Sequence, residues 1–153
     1  MVRRINGVIK FALLIIITID LNDVLKFEES AEIADKLKYY RCKNRLKQKD
    51  VAEYLEIDRS TYIRYETKGH EYYPCEHLER LAELYGVEIT ELANEYNLFV
   101  YEQAEQVKAK RLERGLTQRG FADLIGVDYT KVRKWEKNRA RISKKDWEKL
   151  CGI

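Results

Sequence analysis

The sequence predicts an all-α fold of two small helical bundles in tandem, five helices followed by a shortened four-helix copy. The first observation is a repeat. Arg41, Gln48 and Glu66 recur as Arg111, Gln118 and Glu136, each pair 70 residues apart. Leu46-Lys47-Gln48 with Val51-Ala52 is matched by Leu116-Thr117-Gln118 with Phe121-Ala122, and Tyr65-Glu66 by Trp135-Glu136. Polar and apolar positions recurring together mark two copies of one structural unit. The second is composition: one Pro and seven Gly in 153 residues favour helices joined by short turns over a many-stranded sheet. The third is size. A 45% hydrophobic content supports folded cores, and half of 153 residues lies near the lower limit for one without disulfides or metal.

Residues 1–29 form an apolar N-terminal extension of uncertain role. Val8 to Ile19 is nearly all apolar and follows Arg3-Arg4, as in a signal peptide. The run is shorter than the roughly 20 residues of a membrane span, and Thr18 to Asn22 offers no small-residue cleavage site. Packing on the first unit, poor order and an over-long start stay open beside export or anchoring.

The first unit is expected over residues 30–96. Ile33, Leu37 and Tyr40 set one apolar face from near Ala31. Gln48–Leu55 follows with Val51, Ala52 and Leu55 inward, then the turn Glu56-Ile57-Asp58. Asp58 suits the N-cap of a third helix, Arg59–Thr67. Cys75–Tyr85, closed by Gly86, is a fourth helix, and Thr90 opens a short fifth reaching Glu95 or Tyr96. Residues 97–103 are a short linker, apolar enough to be expected packed.

The second unit, residues 104–153, is expected to hold helices near Gln103–Arg114, Gln118–Ile125, Tyr129–Lys137 and Ser143–Leu150. Thr117, Asp128 and Ser143 suit N-caps, and Gly115 and Gly126 suit the turns.

Charge is unevenly placed. Residues 104–153 carry 14 Lys/Arg against 7 Asp/Glu, a surplus of +7, whereas residues 30–103 carry 11 against 15, or −4. A polyanion is therefore drawn first to the second unit. Cys42, Cys75 and Cys151 are odd in number and far apart, which reads as reduced thiols in a cytoplasm. His70, Cys75 and His77 straddle a turn and read as a helix-start cluster, not a metal site. No paired carboxylate, nucleophile–base pair or phosphate-cradling Gly loop is visible, so no enzyme and no cofactor is expected.

The repeat has the spacing of a helix-turn-helix, in which a second helix crosses the DNA backbone and a third enters the major groove. Ala52 and Ala122 fit where those helices cross closely; Ile57 and Val127 fill the turns from inside. Tyr62 with Tyr65, and Val132 with Trp135, anchor the third helices. Arg59, Ser60, Ile63 and Arg64 are then left outward in one copy, and Tyr129, Thr130, Arg133 and Lys134 in the other, with Lys137 following. Long basic and hydroxyl side chains suit phosphates and base edges.

On these residues, both copies resemble the Cro/phage-repressor (XRE) type of helix-turn-helix domain, over roughly residues 31–93 and 104–151. The resemblance implies that Arg41 pairs with Glu66 and Arg111 with Glu136, and that Gln48 and Gln118 contact a phosphate. It places base-reading positions on Arg59, Ser60 and Arg64, and on Tyr129, Thr130 and Lys134. The first copy departs at Lys47, in place of a Ser/Thr cap, and at Glu56, in place of the turn Gly. An unchanged turn requires a positive φ at Glu56, costing about 1 kcal/mol or more.

The expected function is a sequence-specific transcriptional regulator whose partner is double-stranded DNA, as a monomer or weak homodimer with no membrane association. Two unlike modules would read an asymmetric pair of half-sites, about 34 Å apart for one helical turn. The alternative is an antitoxin-like adaptor that meets a protein partner through its acidic first module and DNA only through the second.

Overall fold

The computed structural model describes residues 32–153. The apolar run Val8–Ile19 and the rest of the extension 1–29 lie outside the described residues. All ten elements among the described residues are helices. They are α1 (Ile33–Lys43), α2 (Gln48–Leu55), α3 (Arg59–Tyr65), α4 (Cys75–Tyr85), α5 (Ile89–Leu92), α6 (Glu95–Tyr101), α7 (Gln103–Glu113), α8 (Gln118–Ile125), α9 (Tyr129–Trp135) and α10 (Lys144–Cys151). None of the helices among the described residues is long and apolar enough to cross a membrane.

Two apolar cores form. The first joins Ile33, Leu37 and Tyr40 of α1 to Val51, Ala52 and Leu55 of α2, Tyr62 and Tyr65 of α3, and Leu78, Leu81 and Tyr85 of α4. The second joins Val107 of α7 to Phe121, Ala122 and Ile125 of α8, Val132 and Trp135 of α9, and Leu150 of α10. In each, spacings of three and four residues bring one helical face inward, and Ala52 and Ala122 are buried with it.

The turn between the two central helices is the same in both copies. Ile57 N–H donates to Ala52 O and Val127 N–H to Ala122 O, each at 3.0 Å. The residue before it is left-handed: Glu56 at φ 59° in one copy, Gly126 at φ 66° in the other. After the first helix, Arg45 at φ 57° stands where Gly115 has φ 63°. The first module thus forces two side-chain-bearing residues into a conformation that its copy gives to glycine.

Three caps bond as their residue types require. The Thr117, Asp128 and Ser143 side chains accept from the backbone N–H groups of Gly120, Thr130 and Asp146. Asp58 does not: it stands at the N-cap of α3 but its carboxylate accepts no backbone N–H. Lys47 offers no lone pair, so at α2 the bond runs the other way, from Lys47 N–H to the Asp50 carboxylate at 2.7 Å.

The expected fifth helix is two. Helix α5 stops at Leu92 because Ala93 and Asn94 are extended, and the Asn94 side chain accepts from Asn97 N–H to start α6. Helix α6 then runs through most of the stretch 97–103 expected as a linker, and α7 begins at Gln103. Its two faces serve different cores: Leu98 and Tyr101 pack on the first, Tyr96 and Phe99 on the second.

Candidate nucleic-acid interface

Each third helix is held by one constellation, built twice. Arg41 on α1 donates from Nε to Glu66 Oε1 at 2.5 Å and from Nη2 to Oε2 at 2.9 Å. Arg111 on α7 does the same to Glu136, at 2.6 and 3.3 Å. The remaining guanidinium nitrogen donates to Leu46 O at 3.0 Å in one copy and to Leu116 O at 2.9 Å in the other. The first helix, the following loop and the end of the third are thereby tied together around a nearly buried carboxylate.

Gln48 and Gln118 belong to this constellation, which spacing alone did not reveal. Gln48 Nε2 donates to Glu66 Oε2 at 2.9 Å, and Gln118 Nε2 to Glu136 Oε2 at 2.7 Å. Each carboxamide is thus pre-oriented at the first residue of α2 or α8, and its second N–H is left for an anion beside the helix terminus. The Glu66 carboxyl is held below its ordinary range: burial pushes it up, but hydrogen bonds from Arg41, Gln48 and Tyr62 outweigh that push.

The outward faces differ. On α3, Arg59, Ser60, Ile63 and Arg64 are all exposed, while Tyr62 and Tyr65 are buried beneath them. Arg64 Nη2 donates to Thr61 Oγ1 at 3.2 Å, which steadies the guanidinium along the helix. On α9, Thr130, Arg133 and Lys134 are exposed above buried Val132 and Trp135, and Lys137 is exposed just beyond. Tyr129 is half-buried against the second core, with the Arg119 guanidinium 5.6 Å from its ring centroid. Arg119, which motif reasoning passed over, stands next to Gln118 at the start of α8 and puts a further cation beside the amino end of α9.

Some groups on these faces are already engaged. The Thr130 hydroxyl donates to Asp128 Oδ1, which leaves the oxygen as an acceptor only. That bond and Thr130 N–H hold the Asp128 carboxyl below its ordinary range. Lys131 Nζ reaches Asp146 on α10 at 2.8 Å and serves to brace α9. Behind the interface, Arg80 of α4 donates to Leu55 O and Tyr54 O, and Lys149 of α10 to Gly126 O at 3.2 Å. In both copies a cation from the fourth helix therefore covers the carboxyl end of the second.

His70, Cys75 and His77 hold no metal-like arrangement; among the described residues no group of three or more His, Cys, Asp or Glu does. His77 Nδ1 instead bonds the Tyr65 hydroxyl at 2.7 Å. The three cysteines are free thiols.

Two family models match the chain. A family model described as a helix-turn-helix domain matches residues 34–98, and a second, described as helix-turn-helix, matches residues 107–153. No curated protein and no solved structure matches the chain. With both matches in tandem on an all-helical fold, the chain belongs to the helix-turn-helix DNA-binding proteins of the Cro/phage-repressor (XRE) type, and carries the domain twice.

Proposed function

We propose that the chain is a sequence-specific transcriptional regulator that lays α3 and α9 in adjacent major-groove segments. The observation that carries this reading is the twice-built Arg–Glu–Gln constellation, which presents a carboxamide and an exposed third-helix face together. Gln48 and Gln118 are the phosphate contacts, and the helix amino ends beside them add partial positive charge. Arg59, Ser60 and Arg64 read base edges through the first module, with Ile63, 39% exposed, suited to a thymine methyl. Thr130, Arg133 and Lys134 read through the second, with Tyr129 at its margin and Lys137 on phosphate. The surplus of +7 over residues 104–153 makes the second module the main source of affinity, and the −4 module the source of added specificity.

Selection of bound sequences from a random DNA pool tests the reading, followed by titration of the selected duplex at several salt concentrations. We expect one enriched sequence. Lys134→Ala or Arg133→Ala should weaken binding about 10–100-fold, and Arg64→Ala less, about 3–10-fold. Equal losses would contradict the division of labour. The acidic charge of residues 30–103 favours one rival, an adaptor whose first module meets a protein. That rival holds if the Arg59→Ala/Arg64→Ala double variant binds as tightly and selectively as wild type.

A further inference from the structure

The two modules meet through matching parts. After Glu66 and Glu136 the register between the copies drops by one, because the second loop is a residue shorter. Gly69 and Asn138 take its left-handed position, and Pro74 and Ser143 stand at the N-caps of the fourth helices. In this register Glu71 corresponds to Ala140, Tyr72 to Arg141 and Tyr73 to Ile142.

Those two loops are gripped at equivalent atoms. Asn97 of α6 accepts from Tyr73 N–H at 3.0 Å and donates to Glu71 O at 2.9 Å. Gln103 of α7 accepts from Ile142 N–H at 2.6 Å and donates to Ala140 O at 2.9 Å. The Tyr101 hydroxyl donates to Tyr73 O at 2.9 Å, and the Tyr96 hydroxyl to Ile142 O at 2.8 Å. One carboxamide and one phenol thus hold the same three backbone atoms in each copy. Asn97 and Tyr101, four residues apart, share one face of α6, and Tyr96 lies roughly 100–140° around the helix from them. The loops therefore flank α6. Where they meet, the Arg141 guanidinium lies over the Tyr72 ring, 3.8 Å from its centroid. A residue touches its own counterpart.

Copies related by translation show each other unlike surfaces, whereas copies related by a twofold show the same surface and pair equivalent residues near the axis. We infer that a pseudo-twofold axis beside α6 relates the two modules, so that the chain reads an inverted pair of unlike half-sites at one fixed spacing, not a direct repeat. This rests on the DNA-reading function proposed above; the orientation of the half-sites is what it adds. A protein twofold is matched by opposed half-sites on the duplex. Here both halves come from one chain, and Tyr72 and Arg141 are positioning residues that keep them in phase.

The full chain is tested in a random-pool selection beside a variant carrying Tyr129→Arg, Thr130→Ser, Arg133→Ile and Lys134→Arg. That variant copies the outward residues of α3 onto α9, so an inverted arrangement converts the selected site into a palindrome. It should bind the palindrome at least about tenfold more tightly than the same half-sites set as a direct repeat. The reciprocal variant (Arg59→Tyr, Ser60→Thr, Ile63→Arg and Arg64→Lys) asks the same question if the first does not fold. A direct repeat, a lone half-site or pairs at many spacings would overturn the pseudo-twofold. No enrichment by the wild-type chain would overturn the DNA-reading function, and the inference with it.

Discussion

The two modules reach one geometry by different chemistry. At two of the three shared left-handed positions the second has Gly115 and Gly126, while the first has Arg45 and Glu56; at the third the first has Gly69 and the second Asn138, a residue that tolerates this conformation. Beneath the third helix the second module buries Val132 and Trp135; the first buries Tyr62 and Tyr65, and must find partners for their hydroxyls. Tyr62 and Tyr85 bond each other at 2.9 Å, and burial drives both phenols above their ordinary range, Tyr85 to about 12. The second copy is therefore the lower-strain version of the fold and also the more basic one. The Arg–Glu–Gln constellation is what the divergence spared.

The largest expected effect probes that shared constellation. Glu66→Ala and Glu136→Ala each strand a guanidinium among buried neighbours and should cost about 3–5 kcal/mol. Urea unfolding followed by far-ultraviolet circular dichroism, and by the fluorescence of Trp135 and Trp147 of the second module, reads each loss on the whole chain. Clearly unequal losses would break the equivalence. The depressed Glu66 carboxyl adds a pH signature. Its contribution is complete above the unfolded value of about 4.3 and fades as pH falls through the lower folded value. Urea midpoints should drop below about pH 4.5, and Glu66→Gln should flatten that part of the profile.

Next come the hydroxyls found only in the first core. Tyr62→Phe leaves the Tyr85 hydroxyl without its partner and should cost about 1–3 kcal/mol in urea unfolding. Adding Tyr85→Phe removes the orphan and should restore part of the loss. If the double variant is as unstable as the two singles summed, the pair is not the reason for the cost.

The smallest effects lie at the turns. Gly126→Ala meets no atom within 4 Å, so only backbone strain opposes it, about 1–2 kcal/mol. Glu56→Gly relieves the same strain but loosens the unfolded chain, leaving a gain of a few tenths to about 1 kcal/mol. Opposite signs at equivalent positions, read from thermal midpoints, would sharpen the comparison; a loss at both would end it.

Periodicity made most helices readable because a buried face repeats every three to four residues, and α2 and α8 run over the spans that pattern predicts. What stayed hidden depends on groups far apart in sequence. Arg45 carries none of the glycine signal that flags its left-handed turn. Asn97 and Gln103 are polar residues in a stretch read as a linker, and their burial makes sense only once loops from both modules arrive beside them. Asp58 has the chemistry of a cap without the bond, while Gln48 and Gln118 form a bond to Glu66 and Glu136 that their position at a helix start does not announce. At the interface, side-chain type separated outward from inward residues on α3. On α9 it missed that Tyr129 is half-buried, since a phenol suits either place.

Helix α6 has no single owner. Cutting the chain within 97–103 would not yield two domains, because Tyr96, and Phe99 too when the cut follows it, would leave with the first half and open a hole against Trp147. The wall is common to two rooms, so whatever disturbs one is felt in the other. Heat, protease or a bound duplex should meet a single cooperative body, and a mutation on one recognition helix can alter how the other sits on its half of the operator.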